Sequence, residues 1–320
     1  MIFEKKIVAA YAKQFDVRCD DKGLAYYFSE KDFEGLQKSD FCFKNAEDLL
    51  LNGGFYYYGE MRTDRILVFD HGFGGGHRSY MREIETLCRG GYTVFSYDHT
   101  GCMTSSGGGT KGLGRSLSDL DACFKALKRD ERFKNSRFSV LGHSWGGYAA
   151  MNISALHPEI EHVVVLSGFV SVKRQIGCFL RRLPRGYVEA VYAHEQAQNG
   201  KYADFDGIKT LKNSDARVLL VYSANDPLVP KDIHFDALTA ALKDKKNVSF
   251  RLEEKKGHNP NYTKDAVLKL AEYTSALGKF SKKKAPTAIE QAAFRSSFDW
   301  KGMTEQDEQV WQEIFEVLKA

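Results

Sequence analysis

Residues 139–150 read "SVLGHSWGGYAA". An apolar run ends at Leu141, small residues surround Ser144, and a segment with helical character follows. Gly142, Gly146 and Gly147 suit neither a regular strand nor a regular helix, but they suit a tight turn joining the two. Gly-x-Ser-x-Gly between a buried strand and a helix is the pattern of a nucleophile elbow. Larger side chains at Gly142 and Gly146 would collide with the backbone of so tight a turn. Ser144 is then held at the tip with its hydroxyl exposed, and the amide of Trp145 opens the helix, facing the reacting centre.

Working outward, "RILVFDHG", "YTVFSYDHT", "HVVVLSG" and "ARVLLVYSAND" repeat the same theme of short, β-branched, nearly continuous apolar runs. Strands buried on both faces have this composition, so a mostly parallel sheet is expected. Helical patterns lie between the runs, among them "YMREIETLCRG" and "SLSDLDACFKALKRDERF". Alternation of this kind predicts an α/β fold, a central sheet flanked by helices. The first sixty residues, with "LAYYFS" and "GGFYYYGEM", predict short antiparallel strands. After "HVVVLSG" the alternation pauses, and residues 170–212 are expected to form a small helical cap over the carboxyl edge of the sheet. "SKKKAPT" reads as a polar linker, and residues 281–320 as a C-terminal helical extension. Its last helix is expected to be capped at Thr304 and to pack through Val310, Trp311, Ile314, Phe315 and Leu318. The whole of 1–320 is taken as one domain.

A serine hydroxyl needs a base to become a nucleophile, and the base needs an orienting carboxylate. Open α/β sheets bind ligands at the carboxyl ends of their strands. Asp226 in "YSANDPLVP" follows a strand directly, and His258 in "EEKKGHNPNY" follows the next one. Their separation of 32 positions accommodates one helix and one strand. The order Ser, Asp, His is that expected for this elbow. Asp98 in "YDHTGCMTSS" is the reserve acid, with His99 beside it shaping the loop. His143 is assigned to packing, and His157, His162, His194 and His234 to core or surface. An oxyanion needs two donors. The loop "DHGFGGGHRSY" supplies the amide of Phe73, with Gly74 as alternate, as partner to that of Trp145. His71 is read as structural and His77 as lining the pocket. In the cap, Phe179, Leu180 and Tyr187 are expected to roof the substrate. Arg181, Arg182 and Arg185 either face solvent or meet an anionic tail.

The chain of 320 residues has 43% hydrophobic residues and a formal charge of +4, which gives no footprint for nucleic acid. No stretch reaches the length of a membrane span, and the opening apolar patch is short for a signal peptide, so a cytoplasmic protein is expected. Cys19, Cys42, Cys88, Cys102, Cys123 and Cys178 are scattered without zinc-ligand spacing and read as reduced structural thiols. No metal and no cofactor is expected.

Four motifs, "HGFGGG", "GHSWGG", "SANDPLV" and "KKGHNP", agree in order and context. Together they resemble the α/β-hydrolase superfamily, and most of all its branch of soluble serine hydrolases related to monoacylglycerol lipases and serine aminopeptidases. "YDHTGCMTSSGG" is similar to the D-x-R-G-x-G-x-S segment of that branch but carries His99 and Thr100 in place of its usual residues. The resemblance spans roughly Leu50 to Phe280. It implies Ser144 as nucleophile, His258 as general base and then acid, Asp226 as orienting acid, and a small-molecule acyl substrate. Ester or thioester hydrolysis is the first expectation. Aminopeptidase or acyltransferase chemistry, or a non-catalytic protein of the same fold, are the alternatives.

Overall fold

The computed structural model describes residues 2–319. Strands β1 (Leu36–Lys44) and β2 (Leu50–Tyr58) form an antiparallel pair. The continuous apolar runs become β3 (Arg65–Asp70), β4 (Thr93–Tyr97), β5 (Arg137–His143), β6 (His162–Leu166), β7 (Arg217–Ser223) and β8 (Val248–Glu253). The sheet order is β1-β2-β4-β3-β5-β6-β7-β8, antiparallel at β1/β2 and β2/β4 and parallel thereafter. The connections run outward from β3 in both directions, so the loops after β3 and β5 face each other across a switch point, where such sheets bind ligands.

The helices are α1 (Ile2–Phe15), α2 (Met81–Arg89), α3 (Arg115–Arg129), α4 (Trp145–Ile153), α5 (Val172–Phe179), α6 (Arg185–Asn199), α7 (Gly207–Asn213), α8 (Phe235–Leu242), α9 (Lys264–Phe280), α10 (Ala288–Ser296), α11 (Trp300–Met303) and α12 (Glu308–Lys319). Alternating side chains of one strand serve two cores. Ile66 and Val68 of β3 join Leu120 and Phe124 of α3 and Ala149 and Ile153 of α4 on one face. Leu67 and Phe69 join Ile84 and Leu87 of α2 and Trp311 and Ile314 of α12 on the other. Each large aliphatic or aromatic side chain among them contributes about 1.5–3 kcal/mol by leaving water.

The last helix packs as its apolar stripe predicts, with Val310, Trp311, Ile314 and Leu318 buried in the second core and Phe315 against it. Two expectations are adjusted here. The chain does not begin with strands: α1 precedes them, and its Tyr11 and Phe15 are buried in the first core. Thr304 does not cap α12 but ends α11. The cap is Asp307, whose carboxylate accepts from the amides of Gln309 and Val310 at 3.0 and 3.3 Å. Between β6 and β7 the chain forms α5, α6 and α7, capped at Ser171 and Asp206 for α5 and α7 and preceded by Pro184 at α6.

Candidate active site

Strand β5 delivers Ser144 into the first turn of α4 with φ of 56°, in the left-handed half of backbone space. Two glycines make that turn sterically feasible. A Cβ on Gly142 would lie 2.2 Å from the carbonyl oxygen of Gly146, and one on Gly146 would lie 2.1 Å from that of Asp70. The amide of Ser144 donates to Leu166 O at 2.9 Å, which ties the turn to β6. Trp145 is the first residue of α4, so its amide has no acceptor within the helix. Its indole is buried and donates to Leu113 O at 2.8 Å.

Asp226 lies in the loop after β7 and is buried. One carboxylate oxygen accepts from the amides of Leu228 and Val229 at 2.8 and 3.0 Å. The other bonds His258 Nδ1 at 2.7 Å. Burial alone would raise the Asp226 pKa, but the imidazole and the two amides hold it below the ordinary carboxylate value. His258 is only slightly exposed and follows β8. Its backbone is fixed as well, because His143 Nε2 donates to His258 O at 2.8 Å. The tautomer of His143 follows from its other side. The Gly72 amide donates to Tyr80 Oη at 3.2 Å, so the Tyr80 hydroxyl spends its proton on His143 Nδ1 at 2.9 Å. Burial, then the neighbouring His258, lowers the His143 pKa to about 3, so this ring is neutral.

Ser144 and His258 line one cavity of about 240 Å³. Phe73, Trp145, Phe169, Phe179, Leu228 and Val229 give it apolar walls. Gln14 and Phe15 of α1 also line it, and sequence reasoning missed them. The spacing of Ile7, Val8, Tyr11 and Phe15 was a helical signal. That this helix reaches the site is a tertiary fact. Helix α1 is docked through Tyr11, whose hydroxyl donates to Glu195 of α6 at 2.5 Å.

Of the other expected residues, Phe73 and Phe179 line the cavity. Leu180 packs against the first core instead, and neither Tyr187 nor Gly74 is among the lining residues. Arg181, Arg182 and Arg185 are exposed. His77 is placed elsewhere: its Nδ1 bonds Asp98 at 2.7 Å and its Nε2 meets Tyr56 Oη at 2.8 Å. Both His77 and Asp98 line a separate cavity of about 900 Å³. Asp98 is thus committed to His77 and to the amide and hydroxyl of Thr104, not to His258. His71 is structural, donating from Nδ1 to Gly72 O at 2.8 Å and accepting the His99 amide at 3.0 Å. Among the described residues, no group of three or more His, Cys, Asp or Glu is arranged to hold a metal ion, and no helix is long and apolar enough to cross a membrane.

Comparison with known proteins adds the following. The family model described as serine aminopeptidase, S33, matches residues 61–256. A proline iminopeptidase of Saccharolobus solfataricus is 28% identical over 153 residues, 44% of this chain and 47% of that protein, so the chain spans about half the length of this curated relative. An esterase of Pyrococcus furiosus superposes with a TM-score of 0.59 at 20% identity, covering 83% of this chain and 97% of that one. An acylaminoacyl peptidase of Pyrococcus horikoshii gives 0.55 at 17% identity, covering 82% of this chain and 44% of that one. At such identities the likeness to solved structures is one of fold.

Proposed function

The chain belongs to the serine aminopeptidase S33 family of α/β-hydrolases, and from that premise we propose that it hydrolyses a carboxylic ester or thioester through an acyl-enzyme on Ser144. The observation that carries this reading is the 2.7 Å bond from His258 Nδ1 to a buried Asp226, in the loop that brings His258 to the same cavity as the elbow serine. With Nδ1–H donated to Asp226, Nε2 is the free acceptor for the serine proton. Attack by Ser144 Oγ on the acyl carbonyl forms a tetrahedral oxyanion, which the amides of Phe73 and Trp145 receive. The imidazolium then protonates the leaving alcohol or thiol. Water, deprotonated by the same imidazole, attacks the acyl-enzyme and frees the acid.

The character of the walls favours esters over peptides with a free amino terminus. No Asp or Glu is among the lining residues. An α-ammonium taken into this apolar space would lack a counter-charge, at a penalty of several kcal/mol. Glu195 does not supply one. Its two oxygens are taken by Tyr11, the amides of Leu113 and Gly114, and Asn199. At about 30 Å³ per water-sized group, 240 Å³ holds about eight such groups, which suits a short or medium acyl chain. Residues 170–212 act as the cap in this reading, with Gln175 and Phe179 overhanging the acyl group. A panel of p-nitrophenyl esters of increasing length, set against aminoacyl p-nitroanilides, tests it. Esters are expected to give the higher kcat/KM and to fall off beyond medium length. Faster cleavage of the anilides would favour the aminopeptidase alternative.

A further inference from the structure

Two cysteines far apart in sequence meet just beyond the end of α1. Cys19, just after α1, pairs with Cys102 in the loop after β4 as an isolated parallel β-bridge. The Cys19 amide donates to Gly101 O at 2.9 Å, and the Met103 amide donates to Cys19 O at 3.1 Å. Backbones paired in this way run about 4.8 Å apart, inside the Cα separation a disulfide spans. Parallel pairing sends both side chains to the same face, and the two thiols lie within hydrogen-bond reach of each other. Arg18 holds the register. Its guanidinium donates to Ser105 O at 3.0 Å, Gly107 O at 2.5 Å and Met103 O at 2.7 Å.

The two sulfurs are not equivalent. Cys19 is partly exposed and Cys102 is buried. The Cys102 thiol donates to Cys19, burial opposes, and the Gly74 amide donates as well, with the net result that the Cys19 pKa is lowered. The same bond, together with burial, raises that of Cys102. One thiolate that solvent reaches, backed by one protected thiol, is the arrangement of an attacking and a resolving cysteine.

We infer that Cys19 and Cys102 form a reversible disulfide when the protein meets a peroxide. The Cys19 thiolate attacks one peroxide oxygen, the O–O bond breaks, and hydroxide leaves, giving a sulfenic acid. The Cys102 sulfur then attacks the Cys19 sulfur, the S–O bond breaks, and the thiol proton leaves with the departing hydroxide as water. Two thiols are oxidised by two electrons and one peroxide is reduced to two waters. The product staples the segment after α1 to the loop after β4. This inference does not depend on the reaction proposed at Ser144.

The test uses the full chain treated with a modest excess of hydrogen peroxide, quenched with N-ethylmaleimide in denaturant so that buried thiols react, and digested without reduction. Free thiols should fall from the six present to four, with a Cys19–Cys102 cross-linked peptide lighter by two hydrogens and full recovery in dithiothreitol. In Cys19→Ser, Cys102 should stay alkylatable under the same treatment, and in Cys102→Ala, Cys19 should go on to sulfinic or sulfonic acid. Recovery of wild-type Cys19 as sulfonic acid beside a free Cys102 would overturn the inference. So would a Cys102 oxidised equally well in Cys19→Ser.

Discussion

Ser144 holds a backbone conformation that few side chains other than glycine adopt. Such a conformation costs on the order of 1–3 kcal/mol and persists where the surroundings over-determine it. Here those surroundings are the β6 carbonyl that takes its amide and the two glycines that leave room for the turn. The residue-scale predictions concern what supports the imidazole. Asp226→Asn should lower kcat on the order of 10⁴-fold, because the wrong tautomer of His258 is then favoured. Asp98→Asn should act on stability through its bond to His77 and leave the rate of the folded protein close to wild type. A rate loss in Asp98→Asn matching that in Asp226→Asn, read by steady-state kinetics on each, would reverse the assignment. Tyr80→Phe removes one hydroxyl from between two groups, the Gly72 amide and His143 Nδ1. Leaving them unpaired should cost about 1–3 kcal/mol in denaturant unfolding. It should also lower kcat, since His143 positions the His258 backbone at the wall of the same cavity.

At the scale of elements, the strands and the elbow were legible because a buried parallel strand must be apolar on both faces and the turn must be small. The order of Ser144, Asp226 and His258 along the chain was legible for the same reason, since each follows such a strand. Pocket residues were less so. Phe179 and Leu180 are neighbours in sequence, yet the end of α5 turns one toward the cavity and the other into the core. No periodicity distinguishes them where a helix stops. The involvement of α1 was hidden because docking through Tyr11 and Glu195 joins residues 184 apart. The packing of the last helix was legible in its stripe of apolar residues, although the linker before it is polar. A buried Lys256 now explains part of its importance. Lys256 bonds Asp307 before α12 at 2.7 Å and Glu253 at 2.8 Å, and so anchors the loop that carries His258. One prediction follows from the α5 geometry. Phe179→Ala should change the preference for acyl length while sparing acetate esters. Leu180→Ala should leave the chain-length profile intact and lower the melting temperature instead. Kinetics on the ester panel and a thermal melt of each variant separate the two.

For the molecule as a whole, buried histidines set the pH range of stability. Burial holds His71 and His143 down to about 3 and His234 to about 4, against an ordinary value of 6.5. Below about 6.5 the unfolded chain takes up protons that these folded groups refuse, so stability falls as pH drops from there toward 3. His99 behaves oppositely. Burial works against its charge, but Asp70 at 3.1 Å and Asp119 at 3.4 Å overcome that and raise it to about 9. Its contribution is fully present below about 6.5 and is lost as pH rises through 9. Melting temperature should therefore peak near pH 6.5 and fall on both sides. His99→Gln should be less stable at the peak and should flatten the alkaline limb alone. A wild-type profile flat from pH 5 to 9 would contradict this. The central claim concerns covalent chemistry at a single atom, and a fluorophosphonate probe reports on it directly. After labelling and peptide mass spectrometry, the account predicts one adduct, on Ser144, absent from Ser144→Ala and strongly slowed in His258→Ala. A folded wild-type protein that takes no label, or takes it on another residue, would contradict it.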